Sequence, residues 1–290
     1  MLGGFPIAPH TPFGLNKEIK ATRLRENVGN NRPKTSRTAA ERNYAMKIIL
    51  VGYDGHMGRE VRECAERARD AEIAAGVDPM AEESGICVKS FDRCTAEADV
   101  IIDFSHHALT KELTAFAVKR GLPLVLATTG QTEEEQAMIR VAAEKIPVFL
   151  AANYSLGIAA LTDLVKRAAA LYPEADIEIV EQHHNRKIDA PSGTALALFR
   201  AVKEVRPEAK AVTGRSGQGK RNPEDVGIQA VRMGNIVGVH EVMICTQNEC
   251  ITLKHQAFSR GVFAEGSLKA AAFLIGKAAG MYDMKDLMEK

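Results

Sequence analysis

One strand–turn–helix segment near residue 50 constrains the fold of this chain most strongly. Residues 47–51 form a short run of apolar, mostly β-branched side chains that ends at a glycine-rich turn. After the turn, residues 59–70 carry apolar side chains at helical spacing. A strand, a tight turn and a helix in this order are typical of α/β folds built on a parallel sheet. The segment therefore predicts the beginning of such a sheet.

Strands and helices continue to alternate up to residue 151. The predicted strands are unbroken apolar runs, which are typical of strands that are buried on both faces. These strands cover residues 73–77, 100–102, 122–126 and 148–151, and helices are expected over 109–117 and 133–145. The pattern predicts a doubly wound, Rossmann-type parallel sheet as the first part of an α/β protein.

The pattern changes after Asn153. Helices are predicted over 156–171 and 192–205, a strand over 176–180, and two longer strands over 237–246 and 251–258. Gln247, Asn248 and Glu249, between the two longer strands, are a hairpin signal. A final helix is expected over 262–279, with Gly280 as its C-terminal cap. We therefore expect a second domain of the α+β class.

The first 45 residues differ from the rest of the chain. They contain four prolines, eight Lys or Arg and three Glu, without sustained periodicity. A secretory signal needs a continuous apolar core and a small-residue cleavage site, and neither is present. An Arg-rich transit peptide is the alternative, although the three glutamates argue against it. We expect a flexible extension over 1–45, with the working fold beginning near Met46.

Charge and cysteine content exclude several classes of protein. Lys and Arg total 38 against 37 Asp and Glu, so the broad basic field of a nucleic-acid-binding protein is absent. No apolar run approaches the roughly 18–20 residues that span a bilayer. The five cysteines include no C-x-x-C pair, which argues against a disulfide framework or a zinc site. We expect free cysteines in a reducing cytosol, no metal, and no membrane or nucleic-acid partner.

The glycine turn is the first chemical signal. Gly52, Gly55 and Gly58 permit a tight turn and close approach of the backbone to a pyrophosphate at the start of a helix. Such glycines also occur in purely structural turns. Asp78 lies twenty residues after the last of them, at the predicted end of the second strand, where a carboxylate accepts hydrogen bonds from a ribose. The combination predicts dinucleotide binding. Pro79 supplies no cation for a 2′-phosphate, which favours NADH over NADPH, although Lys89 lies nearby.

The second chemical signal is the segment 181–194, EQHHNRKIDAPSGT. His183, His184 and Lys187 supply proton donors and cationic groups at the end of a predicted strand. Ser192, Gly193 and Thr194 then open a helix whose N–H groups and hydroxyls suit a carboxylate ligand. In the alternative interpretation, the histidines are packing residues and Ser192 is an ordinary N-cap. The length of the combined pattern favours a substrate site.

Several strings together resemble the dihydrodipicolinate reductase family. EQHHNRKIDAPSGTALAL (181–198) is similar to the active-site signature of that family. The resemblance extends over nearly all of residues 46–290, and residues 1–45 lie outside it. The other matching strings are VGYDGHMG (51–58), DFS (103–105), ATTG (127–130), AANYSLG (151–157), VRMGNIVGVHEV (231–242) and HQAFSRGVFAEGSLKAA (255–271).

The resemblance implies a cytoplasmic enzyme of the diaminopimelate route to lysine. Such an enzyme uses NADH or NADPH to reduce 4-hydroxy-tetrahydrodipicolinate, a cyclic dicarboxylate. The family fold implies a dinucleotide-binding domain over 46–153 and 262–290, and a substrate-binding domain over 154–261. It also implies a homotetramer assembled through the sheet of the second domain.

The resemblance also assigns roles to individual residues. His183 would be the acid/base residue and Lys187 the proton donor, while His184, Ser192, Gly193 and Thr194 would bind substrate. The expected cofactor contacts are Gly52, Tyr53, Asp54, Gly55, His56, Met57, Gly58, Asp78, Ala127, Thr128, Thr129, Ala151, Ala152, Asn153 and Tyr154. Ala127 stands where the family pattern has glycine, and Pro79 stands where members that use NADPH well have a basic residue.

Two other functions stay open at this point. One is a different NAD(P)-dependent imine reductase or amino-acid dehydrogenase on the same two-domain plan, and the other is a non-catalytic cofactor-binding homologue. The intact His183 and Lys187 argue against the second alternative. The roles of several further basic residues are open. The glycine-rich loop over 213–221 is either a solvated connection or a segment whose basic residues close over the substrate. The basic residues whose roles are open are Arg215, Lys220, Arg221, Arg232 and Arg260, and the pair His106–His107 is expected to be structural.

Overall fold

The computed structural model describes residues 45–289 of the chain. The expected extension over 1–45 lies outside the described residues, except for its last residue. Two sheets organise the described part, one with seven strands and one with five.

The first sheet is entirely parallel. Its strands lie in the order β12-β6-β5-β4-β1-β2-β3. In chain order they are β1 (Met46–Val51), β2 (Ala71–Val77), β3 (Cys87–Val88), β4 (Val100–Asp103), β5 (Leu124–Leu126), β6 (Pro147–Leu150) and β12 (Gly280–Tyr282). The associated helices are α1 (His56–Ala68), α2 (Thr110–Arg120), α3 (Glu133–Ala143), α6 (Gly261–Leu274) and α7 (Met284–Met288).

Helices cover both faces of this sheet, and β1 has apolar side chains that pack on each face. Ile48 and Leu50 pack in one core with residues of α1 and α6. Ile49 and Val51 point to the opposite face and pack in a second core with residues of α2 and α3. Since successive side chains of a strand alternate between faces, both cores need apolar residues from the same short strand. The predicted doubly wound sheet is confirmed.

The second sheet is mixed and is covered on one face. Its order is β11-β10-β7-β9-β8, with β10 antiparallel to both β7 and β11 and the other pairs parallel. The strands are β7 (Asp176–His183), β8 (Lys210–Thr213), β9 (Asp225–Arg232), β10 (Gly238–Cys245) and β11 (Cys250–Ala257). The helices α4 (Leu156–Leu171) and α5 (Gly193–Val205) pack on the face that carries Ile177, Ile179 and Val242. The predicted α+β character is therefore confirmed.

The prediction for the end of the last long helix was wrong. The helix α6 ends at Leu274, and Gly276 adopts a left-handed φ of 82° just beyond it. Gly280 is not a cap but the first residue of β12, which pairs with β6 at the edge of the first sheet. The apolar residues between 271 and 279 continue the helical spacing, so the sequence pattern did not show where the helix stops. The strands β3, β8, β9 and β12 and the short helix α7 were not predicted.

The division of the chain into domains at residues 153 and 261 stays a prediction. The described elements give its structural setting: α6 packs against β4, β5 and β6 of the first sheet. The segment between these two boundaries supplies all five strands of the second sheet. Among the described residues, no helix combines the length and apolar character needed to cross a membrane.

The expectation that all cysteines are free was wrong for one pair. Cys245 and Cys250 form a disulfide across the hairpin between β10 and β11, where the two residues lie opposite each other. Cys64, Cys87 and Cys94 are free and buried. This pair does not have C-x-x-C spacing, because two residues that flank a four-residue hairpin turn are separated by five positions.

Candidate active site

The glycine turn between β1 and α1 is shaped by close contacts within the turn. Gly52 has a left-handed φ of 79°, and a Cβ at this position would lie 2.6 Å from the backbone oxygen of Phe104. A Cβ at Gly58 would overlap the backbone oxygen of Gly52. Gly55 is the N-cap of α1, and no side chain caps this helix. The first N–H groups of α1 therefore receive no acceptor from an N-cap side chain, which fits the binding of a pyrophosphate.

Asp78 lies beside this turn, at the end of β2. Its carboxylate accepts hydrogen bonds from the N–H of Asp54 at 3.0 Å and from the N–H of Met80 at 3.0 Å. Each carboxylate oxygen has a second lone pair, so the group can still accept a hydrogen bond from a ribose hydroxyl. The Arg62 guanidinium stacks on the Tyr53 ring at 4.2 Å from its centroid. The predicted residues of the turn and Asp78 thus lie together at one edge of the sheet.

The carboxyl ends of β4, β5 and β6 continue this edge. Asp103 is buried and accepts hydrogen bonds from the N–H of Ser105 at 3.1 Å and from its hydroxyl at 2.5 Å. Burial raises the pKa of Asp103. Tyr154 donates its hydroxyl proton towards Leu126 O at 3.0 Å. Asn153 donates its amide to the Thr194 hydroxyl at 2.9 Å, and this bond joins the cofactor edge to the substrate motif.

A cleft of about 470 Å³ lies between this edge and the second sheet. The predicted site residues that line it are Met57, Ala127, Thr129, Ala152, Asn153, Tyr154, His183, His184, Lys187 and Thr194. A neighbouring groove of about 870 Å³ shares several of these residues and adds Ala151 and Gly193. The other predicted residues do not line the cleft: Gly52, Tyr53, Asp54, Gly55, His56, Gly58, Asp78, Thr128 and Ser192.

His183 and Lys187 each have a carboxylate partner. His183, the last residue of β7, places its Nδ1 2.6 Å from Glu181 Oε2. A Cβ added at Gly238 would lie 3.3 Å from the His183 Nε2, so the small residue leaves that nitrogen accessible. The Lys187 Nζ lies 2.7 Å from Asp189 Oδ1. Burial alone would raise the pKa of Asp189, but Lys187 lowers it below its usual value.

Glu181 is a buried carboxylate that is hydrogen-bonded to three other residues, and it was not predicted from the sequence. Besides His183, it accepts two hydrogen bonds from the Arg232 guanidinium, both at 2.7 Å, and one from the Ser192 N–H at 2.9 Å. Burial would raise the pKa of Glu181, but the hydrogen bonds from His183 and Arg232 outweigh it and lower the pKa to about 2. The carboxylate is therefore ionised at neutral pH.

Two further histidines line the cleft and were also missed. His240 and His255 lie opposite each other on β10 and β11. The pKa of His240 is lowered to about 4, mainly by burial and to a smaller extent by the charge of His183. Burial also lowers the pKa of His255. Burial and then the nearby Arg186 also lower the pKa of His184. All three are therefore neutral at pH 7 and can donate or accept a hydrogen bond without adding charge.

The alternation of residues along the hairpin was a signal that could have identified His240. Val242 and Ile244 face the covered side of the second sheet, and His240 shares their face by the period of two. His240 Nε2 lies 3.1 Å from the Ser192 hydroxyl, which caps α5. Arg260, at the start of α6, lines the same cleft. Strand periodicity therefore indicates the face on which His240 lies.

The two arginines of the glycine-rich loop have partners away from the cleft. Arg215 pairs with Asp225 at 3.0 Å, and Arg221 pairs with Asp176 at 2.8 Å and with Glu178 at 2.5 Å. Lys220 is exposed. His107 contacts Glu135 through Nδ1 at 3.0 Å, as expected of a structural residue. The contacts of both arginines tie the loop to the second sheet.

Two family models match the chain. The one described as "Dihydrodipicolinate reductase, N-terminus" matches residues 46–154, and the one described as "Dihydrodipicolinate reductase, C-terminus" matches residues 157–288. Together they cover most of the chain. The chain belongs to the dihydrodipicolinate reductase family. The prediction from the sequence strings is therefore confirmed, as is the expectation of an NAD(P)H-dependent oxidoreductase.

Curated members of the dihydrodipicolinate reductase family are similar over nearly their whole length. A protein of Clostridium tetani named 4-hydroxy-tetrahydrodipicolinate reductase is 44% identical over 244 residues, 82% of this chain and 95% of the relative. A protein of the same name from Caldanaerobacter subterraneus subsp. tengcongensis is 46% identical over 248 residues, 84% of this chain and 99% of the relative.

Solved structures agree in fold. A dipicolinate-bound dihydrodipicolinate reductase from Paenisporosarcina sp. TG-14 aligns with a TM-score of 0.71 at 23% identity, over 84% of this chain and 99% of the other. A myo-inositol dehydrogenase from Corynebacterium glutamicum aligns with a TM-score of 0.55 at 17% identity, over 84% and 92%. The same two-sheet plan therefore occurs both in a dihydrodipicolinate reductase and in a dehydrogenase named for a different substrate.

Proposed function

We propose that this chain reduces 4-hydroxy-tetrahydrodipicolinate to tetrahydrodipicolinate with NAD(P)H, on the diaminopimelate route to lysine. The observation that supports this most strongly is the cleft, where His183 and Lys187 meet Thr129 and Asn153 from the ends of the parallel strands. A substrate bound there would lie against the expected nicotinamide position. The reaction is the one named for the curated relatives.

The cofactor would be held by the turn, Asp78 and the strand ends. These are the residues predicted from the sequence: Gly52, Tyr53, Asp54, Gly55, His56, Met57, Gly58, Asp78, Ala127, Thr128, Thr129, Ala151, Ala152, Asn153 and Tyr154. When bound, NAD(P)H supplies a hydride. We propose a preference for NADH, because the carboxylate of Asp78 would repel a 2′-phosphate and Pro79 supplies no compensating cation.

The substrate carries two carboxylates, and the chain offers two places for them. Lys187 supplies a positive charge on one side of the cleft, and an ion pair with Asp189 fixes the position of its ammonium group. The first turn of α5, with Gly193 and Thr194 following the Ser192 cap, supplies N–H donors on the other. His184 would add a neutral hydrogen-bonding contact. In support, a solved structure of the same fold is named as dipicolinate-bound.

Proton transfer would fall to His183 and Lys187. Among residues 45–289, no side chain or backbone group is hydrogen-bonded to the Nε2 of His183, which lies near Gly238, and Lys187 lines the same cleft. The hydroxyl group of the substrate has to leave as water, which gives a ring imine conjugated with a carbon–carbon double bond. A hydride added to the carbon that carried the hydroxyl then places negative charge on the ring nitrogen and the neighbouring carbon, and a group positioned to give a proton neutralises it. Closure of the two sheets around the cleft would exclude water during this step. No metal takes part in the proposed reaction.

We propose that the enzyme is a cytoplasmic homotetramer. Both the dinucleotide and the cyclic dicarboxylate are small, soluble molecules, and no nucleic acid or membrane partner is needed. The face of the second sheet opposite α4 and α5 supports the assembly, since no helix of the described residues covers it. This open face (Glu178, Val180, Gln182, Glu241, Met243, Thr252, Lys254 and Gln256) alternates with the residues that pack under the helices.

The test is oxidation of NADH and NADPH, followed by absorbance. A dihydrodipicolinate synthase generates the substrate in place from pyruvate and aspartate semialdehyde. We expect oxidation that depends on the synthase, is faster with NADH, and collapses in His183→Ala. If the protein binds NADH but oxidises neither cofactor in this assay, the result would contradict the proposal and favour a different imine substrate.

A further inference from the structure

Glu181 has no part in the roles assigned so far, although it contacts the proposed acid/base residue. We propose that Glu181 is a positioning residue, whose carboxylate holds the His183 imidazole with its proton on Nδ1 and its Nε2 directed to the substrate. The kinetic part of this inference rests on the proposed function. The structural part, the protonation of one named nitrogen, does not.

The strand places the two side chains together. Glu181 and His183 are two residues apart on β7, so both point to the same face of the second sheet. The Nδ1 of His183 and the Oε2 of Glu181 are 2.6 Å apart. Glu181 is fully buried and His183 is 8% exposed, so water does not compete for this hydrogen bond. The pair is therefore a fixed feature of the folded chain.

Three donors fix the carboxylate itself. Arg232, directly opposite His183 in the pairing of β7 with β9, donates to both oxygens of Glu181. The N–H of Ser192, at the start of α5, donates to Oε1. Arg232 also donates to the backbone oxygen of Asp189 at 2.7 Å, next to the loop that carries Lys187. A displacement of Glu181 would thus disturb the imidazole, the helix start and the lysine loop together.

The chemistry of an ionised carboxylate decides the tautomer. Such a group only accepts hydrogen bonds, so the nitrogen facing it must carry a proton. The neutral imidazole then has Nε2 free as an acceptor, and the cation has an Nε2 proton to deliver. This is the arrangement that a general acid needs when it gives up one proton and keeps its orientation.

Other charged and titratable groups surround His183. Arg232 from β9 and Lys187 from the following loop are cations, and His240 from β10 lies with its ring centroid 5.2 Å away. His184 is the next residue along the chain. Within the described residues, Glu181 is the one carboxylate hydrogen-bonded to His183. Glu181 is therefore the carboxylate that orients the His183 ring.

The first experiment reads the tautomer in the full chain by solid-state ¹⁵N NMR with labelled histidine. The His183 signal is assigned by its loss in His183→Asn. At a pH where this ring is neutral, we expect a protonated Nδ1 and an unprotonated Nε2. A protonated Nε2 with a bare Nδ1 would overturn the inference. This readout needs neither substrate nor activity, so it stays decisive even if the reductase assay is silent.

The second experiment compares Glu181→Gln with wild type in the synthase-coupled assay. We expect kcat to fall by about 100-fold or more, with NADH affinity nearly unchanged. The limb of the kcat/KM profile on which rate is lost as pH rises should move to lower pH, because the charge that favours the imidazolium is gone. An unchanged profile and kcat would overturn the inference.

Asp225→Asn is the matched control. Asp225 is also buried in the second sheet and paired with an arginine, Arg215, but it lies away from the cleft. We expect this variant to keep the wild-type pH profile. If Glu181→Gln does not fold, Glu181→Asp keeps the charge on a shorter side chain, and we expect it to retain the wild-type pH limb while kcat falls. A displaced limb in Glu181→Asp would then contradict the proposal.

Discussion

At the scale of single residues, the proposed chemistry depends on charges held in place by their neighbours. Lys187 lies 2.7 Å from Asp189 and lines the cleft together with His183. The glycine turn that would hold the cofactor is on a different sheet. Substrate chemistry and cofactor binding should therefore respond separately to substitution.

Lys187→Ala tests this separation. We expect at least about a 100-fold loss of turnover, since a positioned proton donor contributes roughly that much, while the affinity for NADH changes by less than about twofold. The measurements are the coupled assay and a fluorescence titration with NADH. Lys210→Ala is the control. Lys210 lies on β8, the edge strand of the second sheet, and pairs with Glu224. An equal loss of NADH affinity in Lys187→Ala would refute the separation.

Residues that are close in the sequence were the ones that could be predicted. His183, Lys187 and Thr194 fall within one short segment, so their spacing alone indicated a site. Glu181 belongs to the same segment, but its role depends on Arg232, which is 51 residues further along the chain. A single glutamate in a strand has no pattern that distinguishes it, so only the three-dimensional structure shows its partners.

At the scale of elements, the connection between β1 and α1 is held by close contact of backbone atoms. A Cβ at Gly58 would overlap Gly52 O and come within 2.5 Å of Tyr53 O. These atoms are backbone, so they cannot turn aside as a flexible side chain would. The position of α1, and with it the expected pyrophosphate site, depends on this glycine.

Gly58→Ala should therefore displace the start of α1. We expect the affinity for NADH to fall by about tenfold or more and the free energy of unfolding to fall by roughly 1–3 kcal/mol, as for other overpacked sites. The checks are an NADH titration and urea unfolding. Gly219→Ala is the matched control, because nothing lies within 4 Å of a Cβ placed there. Wild-type affinity in Gly58→Ala would show that the turn is more adaptable than its contacts indicate.

The end of α4 is held by one buried arginine. Arg206, at the end of α5, donates to Ala169 O at 3.2 Å, to Ala175 O at 2.8 Å and to Tyr172 O. These carbonyls lie at the last turn of α4 and just before β7. Tyr172 O also accepts a hydrogen bond from the Ala175 N–H at 3.1 Å, so Arg206 is its second donor. Arg206 thus supports the strand that carries His183.

Arg206→Met keeps much of the apolar stem but removes these donors. We expect the free energy of unfolding to fall by about 3 kcal/mol or more, because Ala169 O and Ala175 O lose a buried donor. Arg167→Met, which removes an exposed ion pair with Asp163, should change it by less than about 1 kcal/mol. Urea unfolding of both variants provides the comparison, and equal stability of the two would contradict this account.

The predictability of the elements followed the strength of their periodicity. The helix α4 was predicted at its observed bounds, because sixteen residues of regular apolar spacing are bounded by clear signals. The strand β9 was missed since DVGIQAVR mixes polar and apolar residues at its exposed end. The strand β12 has three residues, which is too short for a period to be recognised.

At the scale of the whole molecule, the alternation of strands and helices predicted the class of the first sheet, and the longer strands joined by a hairpin predicted the class of the second domain. The sequence could not show which face of the second sheet stays uncovered, because that depends on where α4 and α5 pack. The open face holds Met243 near its centre, between Glu178 on β7 and Thr252 on β11. An exposed, mixed apolar and polar sheet face is suited to contact with a second copy of the chain.

The oligomeric state tests this interpretation. We expect light scattering to give about four times the mass of one chain for the wild type, and a smaller species for Met243→Asp, since a buried unpaired carboxylate disfavours the interface. Lys269→Asp on α6, outside the second sheet, is the control and should keep the tetramer. A monomeric wild type, or a tetramer that Met243→Asp leaves intact, would place the interface elsewhere or remove it.

The central claim is that this cleft brings a nicotinamide and a cyclic imine dicarboxylate together for direct hydride transfer. The most direct measurement is the mass of the product when the coupled reaction is run with NADH that is deuterated at the transferred position. We predict tetrahydrodipicolinate that carries the deuterium, and none from His183→Ala. Deuterium that stays on the cofactor, or that appears in the product equally without the chain, would contradict the account.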